Sequence, residues 1–248
     1  MNIEILKLRR THILLLGGAL SLGIVLFASM NLFADGQVDT FVTDPAAAWS
    51  GQLIGVAMSL AFLTPLQMAL LASRAVDNEH ASGGWLLNAV AGTRQGSLLR
   101  RKLCVLAPLI AALKLLEFGG CIAFPILLGA PLPSGSTARA WALFAIAAVV
   151  TSVALASAML VLAAVSESQI GVLACGVVGG FCGIVSLLSP AWLAAINPFG
   201  YFAVLLPYTF ADAGPVPAQP GWALWCVYVA LLGAGFFAST RALNRKEI

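Results

Sequence analysis

Residues 103–129 read LCVLAPLIAALKLLEFGGCIAFPILLG, 27 residues interrupted by two charges, Lys114 and Glu117. A hydrocarbon core about 30 Å thick is crossed by about 20 apolar residues in a helix, so this stretch is predicted to span a membrane. The whole chain of 248 residues agrees: 60% is hydrophobic and 9% charged, with a mean hydropathy of +0.97. Soluble domains are about half apolar and about a quarter charged, and a soluble fold could not hide this much apolar surface. Disordered chains, nucleic-acid modules and ordinary cytosolic enzymes are excluded on that ground.

Outward from that stretch, five further apolar runs give an all-α polytopic membrane protein, with predicted spans at about 13–34, 52–73, 103–129, 141–165, 170–188 and 222–240. The residues left over are too few for a separate soluble domain, so 1–248 is expected to be one membrane domain. MNIEILKLRRTH, 1–12, suggests a short surface helix. The first apolar run exceeds a signal-peptide core and lacks an A-x-A site, so it is expected to be retained. In 189–221, Asn197, Pro198 and Gly200 break an apolar run into pieces too short to cross, and Trp192, Tyr201 and Tyr208 suit an interface. A re-entrant helical hairpin at the outer face is expected there; the competing reading is a seventh span. Gly176/Gly180 and Gly179/Gly183 form overlapping GxxxG pairs, which suit close helix packing inside the subunit or at a dimer seam.

The formal net charge is +3, which the positive-inside rule explains better than a nucleic-acid partner. Eleven of the thirteen Lys and Arg fall in the N-terminal segment, in 74–102 and in the tail; Arg139 falls on the opposite side and Lys114 within a span. Both termini are therefore predicted to be cytoplasmic, which supports an even number of spans; a seventh would place the basic tail outside, against the charge count.

Chemistry-bearing clusters are sparse. His12 and His80 both lie outside the spans, and neither an H-E-x-x-H pattern nor a GxxxxGK[ST] loop occurs. Neither an intramembrane protease nor an ATP site in this chain is expected. The five cysteines lack CxxC spacing and read as packing residues, with no metal site. Two features stand out. Lys114 and Glu117, three residues apart, share one helical face near the bilayer midplane, either as a structural ion pair or as a proton relay. Residues 74–102, RAVDNEHASGGWLLNAVAGTRQGSLLRRK, place Trp85, Leu86, Leu87 and Val90 among polar residues, as a short amphipathic helix between spans would.

That segment resembles the first cytoplasmic loop of type-two ABC-exporter permeases, especially the small six-span subunits of lantibiotic-immunity and related antibiotic exporters. The likeness rests on Glu79, Gly84-Trp85, Leu86-Leu87, Arg94 and Arg101-Lys102; the family often has Pro before the Arg, where this chain has Ala91-Gly92-Thr93. The resemblance implies a bacterial cytoplasmic-membrane permease with no cofactor of its own. Two such subunits, identical or paralogous, would pair in the bilayer above separate ABC ATPases that bind ATP and magnesium. Glu79, Gly84, Trp85, Leu86, Leu87 and Arg94 would form the helix that couples to the ATPase. The cargo would be an amphipathic or lipophilic compound, such as an antimicrobial peptide, giving immunity or multidrug resistance. The alternative is a proton-coupled secondary transporter using Lys114 and Glu117, against which the lack of internal repeats weighs.

Overall fold

The computed structural model describes residues 12–34, 36–81, 83–166, 168–211 and 214–245; of the expected N-terminal surface helix all but His12 lies outside them. In lipid a backbone must satisfy its polar groups within its own segment, and each apolar run accordingly forms a helix. α1 (Ile13–Ala28) leads through a 3-10 turn, Met30–Phe33, to the short α2 (Gln37–Thr43) and the long α3 (Pro45–Ala81). Then come α4 (Gly84–Val90), α5 (Gln95–Leu127), α6 (Gly135–Val165) and α7 (Gln169–Leu187). Two short helices, α8 (Ala191–Ile196) and α9 (Tyr201–Val204), precede β1 (Tyr208–Ala211), β2 (Gly214–Pro217) and α10 (Trp222–Arg245).

Among the described residues five helices, α3, α5, α6, α7 and α10, are long and apolar enough to cross a membrane. α1 is the sixth apolar helix, with 16 residues, about 24 Å long; the 3-10 turn adds about 8 Å. α3 and α5 outrun their apolar stretches, α3 reaching Ala81 rather than 73 and α5 beginning at Gln95 rather than 103. The added turns still bury one face: Ala75, Val76 and Glu79 in α3, and Leu98, Leu99 and Lys102 in α5. Hydropathy ends where polar residues begin, but amphipathic helix continues as long as one face packs.

Between α7 and α10 the chain makes two short helices joined at Asn197–Gly200, as expected for a broken apolar run. The described residues are all-α as expected apart from one small pair of strands that follows. Tyr208–Ala211 and Gly214–Pro217 pair as two antiparallel strands, with Tyr208 opposite Pro217 and Ala211 opposite Gly214. Pro215 and Pro217 sit in a strand with one neighbour, where a missing N–H need not break a ladder.

α3 is the axis of the bundle and packs against α1, α6 and α7. The glycine stripe of α7 is used here. A Cβ at Gly180 would collide with Phe62 O, one at Gly183 with Ala61 O, and one at Gly176 would reach Leu66 Cα at 2.9 Å. Pro65 has no N–H to offer Ala61 O four residues back, so that carbonyl is open to the approaching Gly183. Gly179 faces the ring of Phe199. Both GxxxG pairs therefore pack within the subunit. Gly180→Leu is expected to destabilise the purified protein by about 3 kcal/mol or more, since the obstacle is backbone that cannot rotate away; thermal unfolding in detergent measures it.

An edge-to-face aromatic chain, Phe41–Trp49–Trp141–Phe118, closes the end of the bundle where α2, α3, α5 and α6 meet. Trp49 Nε1 donates to Pro131 O at 3.0 Å and Trp141 Nε1 to Trp49 O at 3.2 Å, so both indoles are buried without an orphaned donor.

Candidate functional site

The corner joining α3, α4 and α5 gathers most of the residues singled out in 74–102. α4 is bracketed by two glycines in the left-handed region, Gly83 at φ 63° and Gly92 at φ 76°, a conformation that disfavours any side chain. Past its C-terminus, Thr93 N donates to Asn88 O, the wide bond of a Schellman turn. These two turns confine α4 to seven residues and aim it across the ends of α3 and α5.

Two contacts seat it. Gly84 is buried against Glu79, so that a Cβ at Gly84 would strike Glu79 Oε2. Asn88 Nδ2 donates to the same Oε2 at 3.2 Å and to Gly84 O at 2.8 Å. The other carboxylate oxygen accepts from Lys102 Nζ at 2.9 Å, and the ammonium also donates to Ala75 O at 2.7 Å. Glu79 and Lys102 are 1% and 3% exposed; a pair this dry persists because each charge has its counter-charge and further hydrogen bonds. On the opposite flank Trp85 Nε1 donates to His80 Nδ1 at 3.3 Å, and His80 Nε2 lies 3.0 Å from Ala163 O in α6. The two bonds fix the ring as the Nε2–H tautomer, donating to the carbonyl and accepting from the indole. The seated face thus holds Gly84, Trp85 and Asn88, and the opposite face shows Leu86, Leu87 and Val90 at 71%, 66% and 82% exposure.

Arg94 stands apart from this cluster. It is exposed at the N-cap of α5, where its carbonyl accepts from the N–H groups of Ser97 and Leu98. Asn88, His80 and Lys102 belong to the corner although sequence reasoning gave them no role there. Lys102 read as one of a basic pair entering a span, and its 23-residue separation from Glu79 leaves no periodic signal.

With this corner in place, the comparison with known families is decisive. The family described as "ABC-2 family transporter protein" matches residues 1–183, which contain α1 to α6, the whole α3–α4–α5 corner and most of α7. The chain belongs to this ABC-2 transporter family. It is the membrane subunit of an ABC transporter, and its ATPase partners follow from the family. No match was found among curated proteins.

Deeper in the ABC-2 subunit, Lys114 and Glu117 form the expected ion pair, Nζ to Oε2 at 2.7 Å. They are 0% and 1% exposed. Lys114 also donates to Thr64 Oγ1 at 3.0 Å and Gln67 Oε1 at 2.9 Å, which takes up all three ammonium protons. Glu117 Oε1 accepts from Ser21 Oγ at 2.6 Å and from Gln67 Nε2 at 2.9 Å. Ser21, Thr64 and Gln67, from α1 and α3, are the neighbours that sequence reading did not find. Lys102 and Lys114 are twelve residues apart on α5, and Glu79 and Gln67 twelve apart on α3. The two polar bridges are thus rungs about 18 Å apart between antiparallel helices.

The short-helix segment holds the last group of predicted residues. Asn197 Nδ2 donates to Cys182 O and Ser186 Oγ, both at 2.8 Å, and its Oδ1 accepts from Phe199 N at 3.0 Å. Gly200 is buried against Ala194 O, Pro198 is exposed, and Tyr201 stacks on Tyr228 of α10 at 3.8 Å. Asn197 therefore pins the segment to α7 while Tyr201 joins it to α10. These residues lie outside the family match and far along the chain from α4.

Because Gly84 leaves no room for a side chain, Gly84→Val is expected to push Glu79 aside and unseat α4. Trypsin cleavage at Arg94 should accelerate at least several-fold, and the unfolding temperature should fall as well, because moving the Glu79 carboxylate also weakens its buried pair with Lys102. Limited proteolysis beside thermal unfolding checks both.

Proposed function

We propose that this subunit serves an ATP-driven exporter and that α4 is its coupling helix. The observation that carries the proposal is the division of α4 into two faces: Gly84, Trp85 and Asn88 are held by Glu79 and His80, while Leu86, Leu87 and Val90 point away from the bundle. An apolar face of this kind on a short helix is what a groove in a partner reads.

In this reading the ATPases lie on the cytoplasmic side with both termini, the side that the eleven cations favour. Two permeases, identical or paralogous, stand above two ATPases, which bind ATP and magnesium. Closing of the ATPase pair presses on Leu86, Leu87 and Val90. Glu79 passes the displacement to α3 directly and to α5 through Lys102, and the Lys114–Glu117–Gln67 rung keeps the two helices in step. The bundle then has two states whose balance the nucleotide cycle biases. A cleft of about 370 Å³ beside the strand pair, bordered by Met58, Leu187, Val204 and Leu224 together with Ser189 and Gln219, offers an amphipathic exit. The cargo class that fits is amphipathic or lipophilic, an antimicrobial peptide or other antibiotic, so that the physiological role is immunity or resistance.

The test is purification of the full chain in mild detergent with its ATPase. Co-purification, cargo-stimulated ATP hydrolysis, and loss of that stimulation in Trp85→Ala are expected; full stimulation and stable ATPase binding in Trp85→Ala would refute the coupling role. The proton-coupled alternative requires Glu117 to release its proton during transport. Its bonds to Ser21, Gln67 and Lys114 favour a static bridge instead. Glu117→Gln is accordingly expected to leave no proton-driven flux to lose in vesicles that lack the ATPase.

A further inference from the structure

Away from α4 and from the polar rungs, a groove of about 450 Å³ runs between α5, α6 and α10, lined by Cys104, Val153, Ala154, Ser157, Gly233 and Phe237 among others. It exists because small residues meet where large ones would fill it. A Cβ built on Gly233 has nothing within 4 Å, and Ala154 and Ser157 face it from α6. The volume is that of a site for one small ligand. The walls are apolar, as expected for a surface facing acyl chains.

One end of the groove is cationic. Arg100 is the charged residue among the described residues that line it, and its Nε donates to Gly96 O at 3.3 Å. On α10, Gly233, Phe237 and Arg241 succeed one another at four-residue intervals and lie within about 80° of one another round the helix, with Arg245 one turn beyond. Gly96 packs on Thr240, and its N–H donates to Asn244 Oδ1 at 2.9 Å, which sets the start of α5 level with the last turns of α10. Arg100, Arg241 and Arg245 therefore collect at the same end, all exposed, and none is in an ion pair among the described residues.

We propose that this groove is a binding site for one anionic phospholipid of the surrounding bilayer. An acyl chain lies along Val153, Gly233 and Phe237, and the phosphate headgroup is held by Arg100 and Arg241. Basic pockets between transmembrane helices are the usual setting for anionic headgroups. Charge decides the occupant: a second copy of the chain would set these arginines against their own kind, whereas a phospholipid phosphate neutralises them. The proposal rests on the membrane embedding of the chain and is independent of the coupling role of α4.

Delipidated full-length protein, reconstituted in nanodiscs of phosphatidylcholine with graded phosphatidylglycerol, is assayed for retained lipid by native mass spectrometry after release. Thermal unfolding in detergent with each lipid added is followed alongside. Phosphatidylglycerol is expected to be retained in preference to phosphatidylcholine and to raise the unfolding temperature. Arg100→Ala with Arg241→Ala should weaken that binding roughly twenty-five-fold, about fivefold per arginine. Gly233→Leu, whose side chain enters open space, should abolish it while leaving the lipid-free unfolding temperature unchanged. Unchanged phosphatidylglycerol retention in Gly233→Leu would overturn the site. Equal retention of the two lipids would overturn the headgroup assignment. Gly233→Leu that splits a permease dimer without changing lipid content would make the groove a protein seam instead. None of these outcomes depends on whether an ATPase binds α4.

Discussion

Replacing Leu86 and Leu87 together by Asp is expected to release the ATPase from the permease and leave the permease folded. Both side chains are about two-thirds exposed or more and lie on the face of α4 turned from the bundle, so the folded chain loses little. In the complex each would be buried, at about 1.5–3 kcal/mol per leucine, and Asp would add the desolvation of a carboxylate. A hundredfold or greater loss of affinity results from those figures. Co-purification and cargo-stimulated ATP hydrolysis measure it, with an unchanged elution profile as the folding control. Retained ATPase at wild-type stoichiometry would show that the docking face lies elsewhere. The double substitution differs from Trp85→Ala, which leaves the apolar face intact but removes the indole that bonds His80. The first variant should fail to bind, and the second should bind and fail to transmit.

Lys114→Met is expected to be the most destabilising single change at the polar rungs. It strands the Glu117 carboxylate among Ser21 and Gln67 with no other ion-pair partner among the described residues. Breaking a buried pair from one side costs about 3–5 kcal/mol, whereas replacing both members by apolar residues of similar volume is often neutral. Lys114→Met with Glu117→Leu should therefore recover most of the loss, although Gln67 and Thr64 then lack their partner and hold back part of it. Thermal unfolding in one detergent compares the three proteins. A double variant no more stable than Lys114→Met would mean that the two charges do not depend on each other.

Much of this architecture was legible in the sequence because lipid imposes a simple rule, that long apolar runs become helices. The ion pair of Lys114 and Glu117 was visible for the same reason, two charges one turn apart in a run that tolerates neither alone. Helix ends were harder. α3 continues to Ala81 because Val76 and Glu79 pack, and packing is a property of neighbours rather than of hydropathy. The strand pair at 208–211 and 214–217 escaped because four-residue strands leave almost no periodic pattern. Within the corner, Glu79, Gly84 and Trp85 stood out through their setting in 74–102. His80 did not, and Lys102 stood out only as half of a basic pair, since what makes them part of the site is contact with residues distant in the chain or on another helix. For the polar rung, Ser21, Thr64 and Gln67 are ordinary small or polar residues in apolar runs, and nothing local distinguishes them from any other serine or threonine.

The claim on which the transport reading rests is that the outer face of α4 meets an ATPase on the cytoplasmic side. Val90→Cys, placed on that face in a background with the exposed Cys104 and Cys226 changed to Ser, tests it in native membranes. A short bifunctional thiol reagent is expected to join Cys at position 90 to a nucleotide-binding protein, and a membrane-impermeant maleimide should label that position in inverted but not right-side-out vesicles. Labelling from the exterior, or cross-linking that yields no nucleotide-binding partner, would contradict it.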